Sequence, residues 1–189
     1  MSGNSGGIAR PVPLLILGLG NVLCGDDGLG VVAVHRLLRH YEAPLGVRVL
    51  DGGTLGLALL PYLEDAQEAI LVDAVRTDSQ PGAHVRLEGD EVLPAVSARL
   101  SPHQVGVADL LDGARWRERY PARVLLLGLV PETLALGVGL SSPVELALPV
   151  LVERIAEEAR RLGRAFSPKR EAEATPGWSP SDLADARSL

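Results

Sequence analysis

Between Gly18 and Gly28 the chain reads Gly-Leu-Gly-Asn-Val-Leu-Cys-Gly-Asp-Asp-Gly. Two adjacent carboxylates, Asp26 and Asp27, stand there beside one thiol, Cys24, among glycines that allow tight turns and close backbone approach. Three chemistries could use such a turn. The first is phosphate binding, because Gly18-x-Gly20 between a strand and a helix opens a dinucleotide fingerprint. Its third glycine is due at position 23, which is Leu23. The pyrophosphate would then rest on a helix N-terminus that carries Asp26 and Asp27. At an effective dielectric of ~20, each like-charge pair at ~4 Å costs about 4 kcal/mol, so this reading is disfavoured. The second is helix capping, for which one aspartate suffices. The third is recognition of a cation.

Further groups along the chain bear on that choice. Asp51 lies in Leu50-Asp51-Gly52-Gly53-Thr54, which also reads as a plain turn. Asp73 ends the apolar run 68–74. A buried carboxylate needs partners, either hydrogen bonds from a helix start or a role as metal ligand or acid–base group. His103 opens a helix in Ser101-Pro102-His103-Gln104. His35 and His40 read as surface helix residues and His84 as a strand-edge residue. Asp27, Asp73 and His103 together would offer two oxygens and one nitrogen with open coordination, a set suited to nickel or zinc. Cys24 reads as a small packed hydrophobe, with a soft ligand as the alternative.

The elements that must position these groups follow from hydrophobic patterning. Residues 13–18 are an apolar run ending in glycines, as in a central parallel strand. A helix then starts near Asp27 or Gly28, with Leu29, Val32, Ala33, Leu37 and Tyr41 on its apolar face. Residues 47–50 form the next strand, and Thr54 is placed to cap a helix through Leu60, Pro61 and Leu63. Residues 68–74 form a third strand. Residues 83–87 alternate as an edge strand does. Pro102 sits at the first position of a helix lined by Val105, Ala108, Leu111 and Ala114. A last strand covers 123–130 and a long helix 143–162. This alternation predicts an α/β fold, a twisted sheet with helices on both faces, and ligands in such sheets bind beyond the carboxyl ends of the strands.

The 189 residues suit a single domain, expected over 11–166, with a flexible leader at 1–10 and a mobile tail at 167–189. Aromatics are only 3 %, so the core must be aliphatic. A net charge of −6 provides no basic face for nucleic acid. The single cysteine precludes an internal disulfide. With no long apolar run and no signal-peptide pattern, a cytoplasmic location is expected.

At these residues the sequence resembles the [NiFe]-hydrogenase maturation endopeptidases. Residues 16–23 followed by Gly25-Asp26-Asp27-Gly28-Leu29-Gly30 are similar to the family's opening motif. Leu50-Asp51-Gly52-Gly53-Thr54 with Gly56 resembles the second block, and Leu71-Val72-Asp73-Ala74 the third. Ser101-Pro102-His103-Gln104-Val105-Gly106 resembles the fourth, and Gly128-Leu129-Val130-Pro131-Glu132 the fifth. The five blocks keep the family's order across about residues 13 to 162. The resemblance implies a three-layer α/β/α sandwich with a mixed, mostly parallel sheet. It implies an endopeptidase that removes a C-terminal extension from a hydrogenase large-subunit precursor after nickel insertion. In that role the nickel is presented by the substrate rather than held by the protease. By motif position the nickel-contacting residues are Asp27, Asp73 and His103, and Asp51 joins Asp27 and Asp73 among the acidic groups able to act in catalysis. The family often has glutamate where this chain has Asp27. Two alternatives remain at this point: a non-catalytic, nickel-dependent checkpoint or chaperone for the same precursor, and a hydrolase with its own zinc.

Overall fold

The computed structural model of the chain describes residues 12–97 and 102–169. In chain order the elements are β1 (Val12–Leu19), α1 (Leu29–His40), β2 (Tyr41–Glu42), β3 (Val47–Gly53), α2 (Leu60–Glu64), β4 (Ala66–Ala74), β5 (His84–Glu88), α3 (Val92–Ser97), α4 (Pro102–Trp116), β6 (Arg123–Leu129), α5 (Ser142–Arg161) and β7 (Ser167–Pro168). Five strands form one sheet in the order β3-β1-β4-β6-β5. β3, β1, β4 and β6 run parallel, and β5 closes one edge antiparallel to β6. The expected mixed, mostly parallel α/β architecture is thus the one observed.

Period-two alternation divides the aliphatic residues of the central strands between two cores. Leu14, Ile16, Ile70, Val72, Leu125 and Leu127 pack with α1 and α5 on one face. Leu15, Leu17, Leu71, Val124 and Leu126 pack with α2, α3 and α4 on the other. The unbroken apolar runs of β1 and β4 follow from this burial on both faces.

Several details differ from the sequence reading. α1 stops at His40, and Tyr41 leaves the helix to pair in a two-residue ribbon with Pro168. Its ring meets Phe166 edge-on, centroids 6.4 Å apart, so an aromatic spaced for the helix face serves the body's closure instead. Ser167–Pro168, the first residues of the expected tail, form the second strand of that ribbon. Thr54 does not cap a helix: the chain makes a 3-10 turn over Gly56–Leu59, and no side chain caps it or α2. The apolar face of α4 runs through Val107, Leu110, Leu111 and Ala114, with Ala108 half-buried. The side chain of Val105 lies outside the described residues. The short α3 was not anticipated.

α1 approaches the sheet very closely at Gly30. A Cβ there would stand 2.0 Å from the Val72 carbonyl oxygen and 2.4 Å from that of Leu19. Both obstacles are backbone of central strands, so neither can swing aside. Gly30→Ala is expected to destabilise the protein by about 2–3 kcal/mol through overpacking, read as a lowered denaturant midpoint at unchanged m-value.

Candidate active site

β1 and β4 lie side by side at the centre of the sheet and deliver their loops to its carboxyl end. β1 releases the glycine-rich turn, which closes as a 3-10 turn over Gly25–Gly28 and packs against β4. Two contacts fold the turn back. A Cβ on Gly20, at φ +119°, would meet the Asp27 carbonyl oxygen at 1.7 Å, and one on Gly28 would meet Val22 Cα at 2.8 Å. Only glycine permits either approach. The Asn21 amide then donates to Asp27 Oδ2 at 2.8 Å, and Asn21 Oδ1 accepts from the Leu23 amide at 3.0 Å. Asp27 is 1 % exposed.

Asp26, its neighbour, is fully buried and does something else. Its carboxylate accepts from the amides of Glu132 (2.8 Å), Thr133 (3.1 Å) and Ser141 (2.6 Å) and from the Ser141 hydroxyl (2.8 Å). Ser141 is the N-cap residue of α5 and spends no side-chain bond on its own helix. Helix capping, one of the uses the sequence allowed for this turn, would direct Asp26 to the helix that follows. No side chain caps that helix. The carboxylate instead sits at the start of α5, where the helix dipole favours a negative charge, and ties the 130–141 loop to the turn. Backbone bonds from Asp26 N to Thr133 O and from Gly25 N to Gly137 O complete the clamp.

Asp73 is 1 % exposed, one residue before the end of β4. Val72 and Ala74 belong to the core under α1 and α5, while Leu71 and Val75 belong to the core under α4. Alternation therefore turns Asp73 toward the α4 face. α4 reaches back toward the same end of the sheet. Ala122, beyond its last turn, bonds Gln67 at the amino end of β4. The 15-residue helix rises about 22 Å from there, so its first turn, which contains His103, lies toward the carboxyl ends. The side chain of His103 itself lies outside the described residues.

Asp51 is placed differently. It lies within β3 rather than after it, and it shares the strand face of Val47 and Val49, which pack toward α1. There its Oδ2 pairs with His35 Nε2 at 2.9 Å. His35, read as a plain surface residue, is this partner, and its helical position gave no sign of it. Asp51 and Asp73 thus point to opposite faces of the sheet. Cys24 is half-buried and accepts a bond from Asn21 Nδ2 at 3.4 Å. On β5, burial and then Arg154 push the pKa of His84 below the ordinary histidine value, which favours its neutral form.

Among the described residues no three His, Cys, Asp or Glu side chains come together as a metal site. Asp27 and Asp73 bring two buried carboxylates to one end of two adjacent strands. Such a pair can ligate a hard or borderline cation or hold a water for proton abstraction. No helix among the described residues is long and apolar enough to cross a membrane.

Comparison with known proteins adds a family context. A family model described as hydrogenase maturation protease matches residues 31–158. The hydrogenase 2 maturation protease of Escherichia coli K12 is 34 % identical over 157 residues, covering 82 % of this chain and 96 % of that protein. The hydrogenase expression/formation protein HoxM of Azotobacter vinelandii is 41 % identical over 150 residues, covering 76 % and 72 %. Among solved structures, the hydrogenase maturating endopeptidase HybD of Escherichia coli superposes with a TM-score of 0.79 at 34 % identity. That match covers 83 % of this chain and 98 % of HybD. The [NiFe] hydrogenase maturation protease HybD of Thermococcus kodakarensis superposes with a TM-score of 0.63 at 32 % identity, covering 77 % and 97 %.

Proposed function

Because the chain belongs to the hydrogenase maturation protease family, we propose that it removes the C-terminal extension of a [NiFe]-hydrogenase large-subunit precursor after nickel insertion. The observation that carries this reading is the pair of buried carboxylates, Asp27 and Asp73, at the carboxyl ends of β1 and β4.

The nickel belongs to the substrate. Asp27, Asp73 and His103 engage it where the precursor presents it, and the peptide beside the ion is thereby held at the site. Holding a peptide in place removes much of the entropic barrier to its attack. A metal ion beside the scissile bond supplies Lewis acidity. A carboxylate of the pair takes a proton from the attacking water, and the proton then passes to the leaving amine. This makes the enzyme an aspartic-type peptidase whose recognition depends on a metal it does not keep. The Asp51–His35 pair, on the other face of the sheet, stands outside that ligand set and supports it from the neighbouring strand.

The test is mass spectrometry of the large-subunit precursor, loaded with nickel or nickel-free, after incubation with the purified protein. The expected result is loss of a C-terminal peptide from the loaded precursor alone. A stable complex without mass loss would favour a nickel-dependent checkpoint. Zinc retained stoichiometrically by the isolated protein would favour a hydrolase with a resident metal.

A further inference from the structure

Exposed aliphatic side chains gather beside the acidic turn. Leu23 is 55 %, Leu136 88 % and Val138 59 % exposed. The backbone joins them: the Gly137 amide donates to Leu23 O and the Gly25 amide to Gly137 O, both at 2.9 Å. This is a parallel bridge that pairs Cys24 with Gly137. Leu23, Leu136 and Val138 are the exposed residues that flank this bridged pair. Gly25, which lies beside Val138, adds no side chain to cover them.

The ribbon is held rigidly. Asp26 clamps its second strand through Glu132, Thr133 and Ser141, so the apolar face does not have to be ordered when something binds to it. A surface fixed in advance loses less affinity to ordering. Asp27 follows Gly25 by two residues, so the apolar face and the candidate active site are parts of one turn.

We propose, resting on the proteolytic reading above, that this face seats apolar side chains of the precursor segment next to the scissile bond. A peptide lying across Asp27 and Asp73 must also cross the turn that carries Asp27, which puts its flanking residues against Leu23, Leu136 and Val138. A second copy of this chain is a poorer occupant. Three aliphatic side chains offer on the order of a few hundred Å², typical of a functional patch on a monomer. A stable dimer buries about 1,200 Å² or more.

The experiment compares wild-type protein with the Leu136→Ser/Val138→Ser double variant in cleavage of nickel-loaded precursor, with KM and kcat measured separately. Trp116→Ser and Leu45→Ser serve as controls. These residues are 89 % and 98 % exposed and stand near the amino ends of the strands. The expected result is a rise in KM of about ten-fold or more in the double variant, with kcat and melting temperature unchanged, while the controls match wild type. Leu136→Met should restore most of the affinity lost in Leu136→Ser, because methionine replaces the buried area. A KM within about two-fold of wild type, or a loss confined to kcat, overturns the inference and leaves the protease reading intact. Concentration-dependent self-association that the double variant abolishes, with KM unchanged, assigns the face to a second copy instead. If wild-type protein neither binds nor cleaves the precursor, the protease reading itself fails, and this inference fails with it.

Discussion

Asp73→Asn is expected to lower the rate of precursor cleavage by about 10³-fold while the protein stays folded. Asparagine matches aspartate in shape, so the packing at the end of β4 is retained. What it loses is the charge that a cation or an attacking water requires. Losses of about 10²–10⁴ accompany removal of a positioned acid–base or electrostatic group. Asp27→Asn is expected to act similarly. The Asn21 amide still finds an oxygen acceptor, so the turn keeps its form. Combining the two substitutions should cost little more than either one, because groups that act as a unit are not additive. Asp51→Asn provides the contrast. Asp51 faces α1 and pairs with His35, so its effect should multiply with that of Asp73→Asn instead of being absorbed by it. Single-turnover cleavage of nickel-loaded precursor measures the three single variants and the two combinations. Full activity in Asp27→Asn or Asp73→Asn would remove that residue from the proposed machinery. Asp27→Glu, which keeps the charge and adds one methylene, should retain activity.

Asp26→Ala is expected to damage stability where Asp27→Asn damages chemistry, although the two residues are adjacent. The Asp26 carboxylate serves four donors, three of them backbone amides. Alanine leaves all four without that acceptor. Orphaning buried polar partners costs about 3–5 kcal/mol, or roughly 10 °C in Tm for a domain of this size. Asp26→Asn should be nearly as harmful, since its NH2 group would face donors where an acceptor is required. Hydrogen exchange should place the lost protection at the amides of Glu132, Thr133 and Ser141. Normal protection there would show that the clamp is not what holds the 130–141 loop. Because that loop carries Leu136 and Val138, the Asp26 variants should also weaken precursor binding.

Much of this was legible in the chain itself. Buried parallel strands announce themselves as apolar runs, and the runs behind β1, β4 and β6 did so. Asp73, at the end of one such run, was read as a buried carboxylate, and it is 1 % exposed. The departures occurred where a residue's partner is distant in sequence. Tyr41 fits the spacing of α1, but its ring is claimed by Phe166, 125 positions away. Asp51 looks like a turn residue until β3 is seen to run on to Gly53 and to bring it beside His35.

The acidic turn shows the division most clearly. Sequence determined that two carboxylates would stand together among glycines after a central strand, because those glycines are what the backbone needs there: at Gly20 and Gly28 no other residue fits. Sequence also argued against phosphate, since the third glycine is absent and the charge has the wrong sign. The family resemblance set Asp27 apart from Asp26, but local sequence did not reveal what Asp26 binds. The tertiary structure decided that, because the donors that claim Asp26 lie 106 to 115 residues further along the chain. Local patterning has no access to a hydrogen bond across such a separation. With Asp26 committed to Glu132, Thr133 and Ser141, Asp27 is the carboxylate of the two that the proposed mechanism uses.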